Sequence, residues 1–325
     1  MKNRLVLTMG DPAGVGPEIC LKLLVHHDLD PRPVIIGDVS ELRRQSSHFG
    51  FDLQVEKIDS PSFSNPTTGK VEVIQAGQLS KPITMGKVDA ECGRIAFDSV
   101  KLAIDFALAG EIDGFVTAPI NKAAMAAAGI NFPGHTEILA HYADAKKVAM
   151  MLANEQLRVV LASIHVSLLD AIKNCTIESQ LYAIRLAQQG AKAFGINKPR
   201  IAVAGLNPHA GESGLFGREE IDIIAPAIEL ARTEGFEVSG PWPGDTVFMQ
   251  ARQGQFDIVV AQYHDQGLIP VKYLGIADGV NVTLGLPFVR TSPDHGTAFD
   301  IAGLGSADES SMVYAYHQAL KLLPT

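Results

Sequence analysis

Cysteine is scarce in this chain: Cys20, Cys92 and Cys175 are widely separated and form no CxxC pair. An odd number of thiols at such spacing reads as buried free cysteines, which suits a reducing compartment. Basic residues are in deficit, 27 against 36 acidic ones, for a formal charge of −9. No nucleic-acid-binding face is therefore expected, although a local basic pocket for a small anion stays compatible with that balance. Long apolar runs are missing too. Near the N-terminus only residues 5–7 are apolar before Thr8 and Gly10, which leaves neither a signal-peptide core nor a membrane span and points to a cytoplasmic protein. What the chain does have is 325 residues with 46% hydrophobic content, enough for one large or two ordinary domains.

Strand-like runs, "RLVLTMG", "RPVIIGD", "DGFVTAPI", "LRVVLASIH", "RIAVAGLNPH" and "DIVVAQYH", alternate with amphipathic stretches. Two of those stretches, "IESQLYAIRLAQQGAKAFG" and "EEIDIIAPAIELARTEG", close on a glycine where a helix stops. The pattern predicts an α/β fold with parallel strands. Residues 59–70, rich in Pro, Ser and Asn, read as an exposed connection.

The glycines of "TMGDPAGVGPE" follow a strand and precede a helix, but a Rossmann fingerprint would need a third glycine where Ile19 stands. What remains is a tight turn through Gly14 and Gly16, with Pro17 at the helix start and Glu18 where the helix dipole favours an acid.

His165, His209 and His264 each follow a strand-like run. Ligands bind at the carboxyl ends of strands in open α/β sheets, so three imidazoles delivered there could share one divalent cation; each taken singly is more often an ordinary hydrogen-bonded or solvent-facing side chain. Asp265 adjoins His264, and Asp245 sits in a Pro-Gly turn; each suits either orientation of a histidine or plain turn chemistry. His135 and Thr136 open a predicted helix, where exposed N–H groups can receive an anion. Lys272, Asn281 and Arg290 add two cations and an amide that suit a carboxylate or phosphate. The segment "RTSPDHGTAFDIAG" crowds polar residues among small ones in a pattern that fits neither helix nor strand.

"GDPAGVGPE", "TAPINK", "FPGHTE", "GLNPHAGESGLFGREE", "YHDQGLIPVK" and "VNVTLGLPFVRTSPDHGTAFDIAG" together resemble, in order and over about residues 4–308, the 4-hydroxythreonine-4-phosphate dehydrogenase family of pyridoxal phosphate biosynthesis. "HGTAFDIAG" also resembles the nucleotide loop of isopropylmalate and isocitrate dehydrogenases. The resemblance implies their two-domain α/β fold with a non-Rossmann nucleotide site. It implies a nucleotide-side domain of residues 1–128 with 276–325 around a central metal and dimerisation domain of residues 129–275.

The resemblance further implies a divalent ion (Zn, Mg, Mn or Co) on His165, His209 and His264, supported by Asp245 and Asp265. Both subunits of a homodimer would contribute to each site. Substrate contacts carry over to His135, Thr136, Lys272, Asn281 and Arg290, and NAD or NADP to His295, Gly296, Thr297 and Asp300. The implied reaction oxidises a phosphorylated hydroxy acid and then decarboxylates it; Lys272, Asp245 or a metal-bound water could take the alcohol proton, and the base stays unassigned. The substrate is 4-hydroxythreonine 4-phosphate or, in a related branch, threonate or erythronate 4-phosphate. A third branch oxidises dihydrodiols of aromatic dicarboxylates, and the polar set in "FPGHTE" and "VNVTLGLPFVRTS" disfavours it. A noncatalytic ligand-binding homologue is disfavoured by the complete histidine and loop sets.

Overall fold

Leu5–Thr8 (β1) is buried at every position, as an interior strand covered on both faces must be. It opens a computed structural model that describes residues 4–145, 147–275 and 279–323. Two compact units emerge, Met1–Lys146 with Leu286–Thr325, and Lys147–Gly285.

In the first unit β1 leads through the 10–15 turn into α1 (Gly16–His26). Then follow β2 (Val34–Gly37), α2 (Val39–His48), β3 (Gln54–Ile58), β4 (Lys70–Gln75), α3 (Ala90–Leu108), β5 (Gly114–Thr117), α4 (Lys122–Ala127) and α5 (His135–Tyr142). Residues 61–63 form a single 3-10 turn inside the expected 59–70 connection. Helix starts are set locally: Asp38 caps α2 and Asp89 caps α3, each carboxylate accepting two backbone N–H groups.

The second unit holds β6 (Ala149–Ala153), β7 (Arg158–Leu161), α6 (Leu168–Lys173), α7 (Ile177–Ala193), β8 (Ile201–Ala204), α8 (Ala225–Thr233), β9 (Val238–Trp242), α9 (Val247–Arg252), β10 (Ile258–Ala261), α10 (His264–Tyr273) and β11 (Val280–Leu284). The chain then returns to the first unit with β12 (Val289–Pro293) and α11 (Ser310–Leu322).

The first unit's strands run β3-β4-β2-β1-β5-β12, every neighbour parallel. From β1 the chain moves outward through β2 and then returns to β5 on the other side. The turns after β1 and β5 therefore part where α/β sheets place ligands. The second unit runs β11-β6-β7-β10-β8-β9. Here the expectation of parallel strands needs one correction, because β6 is antiparallel to both β7 and β11. Only residues 154–157 join β6 to β7, too short a link for a parallel crossover, and Asn154 Oδ1 closes it by accepting the N–H groups of Gln156 and Leu157.

The predicted helix stops hold: Gly195 and Gly235 follow α7 and α8 at positive φ of 83° and 87°. The three cysteines are free and buried, as read from their spacing. Residues 129–145 belong with the first unit, where the resemblance put a boundary at 128/129. Aromatic packing accounts for this, since Phe97 of α3 stacks on Phe132 and meets the edge of Tyr142. The boundary implied at 275/276 borders residues 276–278, which lie outside the described ones.

Candidate active site

Three neighbouring parallel strands of the second unit, β7, β10 and β8, are the ones that precede His165, His264 and His209. Asp245 follows β9, the parallel neighbour of β8. The metal-ligating candidates thus reach one edge of one sheet. His165 and His264 approach closely, their ring centroids 5.9 Å apart. His264 opens α10, and its Nδ1 lies 2.7 Å from Asp265 Oδ1. A carboxylate on one ring nitrogen orients the imidazole and leaves Nε2 as a donor, the usual arrangement of a metal-binding histidine. His209, Asp245 and Asp265 line a cleft of about 660 Å³ with Phe248, Ile269 and Tyr273. Among the described residues no three His, Cys, Asp or Glu side chains of one chain converge to hold a metal. The donor set itself, imidazoles with an orienting carboxylate, has the chemistry a divalent ion requires.

His209 is held in an unusual backbone. Residues His209, Ala210, Gly211, Glu212 and Ser213 all have positive φ, a left-handed turn that costs each non-glycine residue about 1–2 kcal/mol. The stabilising partner is Glu220, 2% exposed. Its carboxylate accepts the N–H groups of Leu206 and Asn207, both at 2.7 Å, and the Asn207 side-chain amide at 2.9 Å. Sequence reading passed over Glu220, although its place in "GREE" after the histidine loop was a usable signal. Beneath the same edge, Gln262 and Gln266 donate to the carbonyls of Ala204 and Gly205 at the end of β8.

The remaining second-unit candidates are more dispersed. Lys272 is exposed in the last turn of α10, about 12 Å along the axis from His264. Asn281 lies on β11 and donates to Met150 Sδ at 3.0 Å.

In the first unit Arg290 is buried on β12 and donates from Nη2 to Thr117 Oγ1, the last residue of β5, at 2.6 Å. Burial lowers its pKa to about 9, so it remains a cation at neutral pH. His135 and buried Thr136 begin α5, the helix start expected from sequence. Burial holds His135 well below the usual histidine range, and the charge of Arg290 adds to this; neutral imidazole beside guanidinium results. Asp11, in the turn after β1, is fully buried. Burial raises its carboxyl to about 6 against the Ala13 N–H that it accepts, with Asp89 adding repulsion, and Oδ2 has no hydrogen-bond partner.

Residues 290–293 of the segment expected to fit neither helix nor strand lie on β12; the polar loop that remains, 294–303, packs on that same turn. Val15 donates to Thr297 O at 3.0 Å, and a Cβ on Gly14 would lie 2.9 Å from the same oxygen. Gly14 is thus required by loop packing, a reason that spacing alone did not supply. His295 Nδ1 approaches Gly296 O at 2.9 Å while Nε2 is buried without a partner. Nothing lies within 4 Å of where a Cβ would stand on Gly296, and Asp300 is exposed. An orphaned ring nitrogen, open space at a glycine and an exposed carboxylate suit a dinucleotide's bases and ribose hydroxyls.

The family model of the pyridoxal phosphate biosynthetic protein PdxA matches residues 30–319. The chain is 55% identical to the 4-hydroxythreonine-4-phosphate dehydrogenase of Beijerinckia indica, over 100% of this chain and 97% of that one. It is 46% identical to the D-threonate 4-phosphate dehydrogenase of Salmonella typhimurium, over 98% of each. The crystal structure of 4-hydroxythreonine-4-phosphate dehydrogenase from Klebsiella pneumoniae superposes with a TM-score of 0.89 at 43% identity, covering 98% of this chain and 99% of that one. The fold is accordingly the isocitrate/isopropylmalate dehydrogenase-like α/β fold. The chain therefore belongs to the pyridoxal phosphate biosynthetic protein PdxA family.

Proposed function

We propose that the chain is an NAD(P)-dependent dehydrogenase that oxidises the 3-hydroxyl of 4-hydroxythreonine 4-phosphate and decarboxylates the product to 3-amino-2-oxopropyl phosphate. The observation that carries this reading is the delivery of three histidines and Asp245 to one edge by four consecutive parallel strands, in a chain whose relatives are named dehydrogenases.

A bound nicotinamide would accept the C3 hydride, and the hydroxyl proton goes to a base, for which Lys272 and Asp245 are the candidates. The resulting carboxylate is β to a carbonyl, so carbon dioxide leaves as its bonding pair enters the adjoining enolate. A divalent cation (Zn, Mg, Mn or Co), which His165, His209 and His264 would hold, would supply Lewis acidity. Asp265 orients His264. Arg290, His135, Thr136, Lys272 and Asn281 hold the phosphate and carboxylate, and His295, Gly296, Thr297 and Asp300 hold the dinucleotide.

D-threonate 4-phosphate, giving dihydroxyacetone phosphate and carbon dioxide, is the second reading, supported by the relative named for that substrate. We also read the protein as a cytoplasmic homodimer with shared sites. Exposed Leu168, Leu169, Leu215 and Ile269 on the second unit support pairing, and among the described residues no helix is long and apolar enough to cross a membrane. The test is appearance of NADH or NADPH absorbance when metal-loaded enzyme meets each phosphorylated acid and its erythro isomer. Reduced cofactor with none of them would overturn the assignment.

A further inference from the structure

The helix after the glycine turn holds the polar loop at two points. At its N-terminal end Val15 donates to Thr297 O. One turn further on, Glu18 Oε1 accepts the N–H of Ala307 at 2.9 Å and lies 2.9 Å from Lys22 Nζ. Lys22 Nζ also donates to the carbonyls of Gly305 at 2.9 Å and Ala307 at 2.5 Å. An ammonium has three N–H bonds, and here all three have acceptors. Both side chains are buried. The segment is gripped from other sides as well, by His48 Nε2 at 3.0 Å from Gly303 O and by Gly86, whose Cβ position lies 2.3 Å from Phe299 O.

We propose that Glu18 and Lys22 are positioning residues for the dinucleotide: they clasp residues 305–307 to α1 and so set the loop of His295–Asp300 in its binding conformation before the cofactor arrives. The inference rests on the nicotinamide reading above. Its physical basis is preorganisation. A loop anchored at both ends has lost its conformational entropy in folding, so the cofactor does not have to order it. A surface ion pair would contribute little. This pair instead fixes one backbone N–H and two backbone carbonyls in a segment that has no regular structure of its own.

The experiment titrates NADH and NADPH into metal-loaded enzyme and follows nucleotide fluorescence, with the variants Glu18→Gln, Lys22→Met and the double variant. Failure of wild type to bind either nucleotide would sink the dehydrogenase reading, a result distinct from failure of the clasp. With binding present, Lys22→Met should weaken it roughly tenfold, as for loss of charge-assisted hydrogen bonds. The KM for the phosphorylated acid should stay near its wild-type value. Lys22→Met also leaves Glu18 as a buried unpaired charge, which lowers stability for an unrelated reason. The double variant separates the two effects: it removes that charge and should regain thermal stability while nucleotide binding stays weak. Wild-type affinity in the double variant would overturn the proposal. Hydrogen exchange on unaltered protein provides a check independent of variant folding. The Ala307 amide should be strongly protected before nucleotide is added, and rapid exchange there would equally overturn the proposal.

Discussion

Glu220 accepts the backbone N–H of Asn207 at 2.7 Å, and this contact ties a buried carboxylate to the left-handed turn that carries His209. Truncation in Glu220→Ala leaves the Leu206 and Asn207 backbone donors without their acceptor, at a cost of about 3 kcal/mol or more. The expected outcome is a lower unfolding free energy and, by elemental analysis, less bound divalent metal. Glu220→Gln, which retains an acceptor oxygen, should do less on both counts. Full metal content in a folded Glu220→Ala protein would show that the turn does not depend on this residue.

His135 provides a pH test. Its pKa in the fold is depressed, whereas unfolded histidine titrates near 6.5. Below that pH the unfolded chain takes up a proton that the folded one refuses, so this contribution to stability is present above about 6.5 and falls by about 1.4 kcal/mol per pH unit below it. Denaturation of wild type and His135→Asn at a series of pH values should show the wild type losing ground by that slope on acidification. A His135 ring resonance that titrates between pH 6 and 7 would contradict the assignment.

Asp11 carries the opposite sign. Its carboxyl is raised from 3.8 to about 6 in the fold, so ionisation opposes folding. The penalty is absent below about pH 4, grows as pH rises toward 6, and is complete above it at about 3 kcal/mol. Asp11→Asn keeps an oxygen for the Ala13 N–H and should be more stable than wild type at pH 8, with no gain at pH 4. A stability difference that does not vary with pH would mean that Asp11 titrates normally.

The shared-site reading makes a prediction about mixtures. His209→Ala and His264→Ala proteins should each be inactive. If each site takes these two histidines from opposite chains, a mixed dimer has one site with both lesions and one intact. Activity should then partly return after subunit exchange. No recovery despite demonstrated exchange would mean that each chain builds its own site.

Much of the fold is written locally. The six strand-like runs are strands, because residues apolar at consecutive positions need cover on both faces, and Gly195 and Gly235 stop their helices because the left-handed position there favours glycine. The position of His165, His209 and His264 beyond strand ends was legible for the same reason, as each lies a few residues past such a run. Partners distant along the chain were not legible. Glu18 reads from sequence as an acid suited to a helix dipole, yet its carboxylate accepts an N–H that lies 289 residues away. Glu220, which drew no reading from sequence, is the buried support of a strained turn. Periodicity reports which face of an element is buried; it carries no information about which distant polar atom meets it there. The raised carboxyl of Asp11 and the neutral ring of His135 follow from burial beside particular charges, and only the folded chain decides those neighbours.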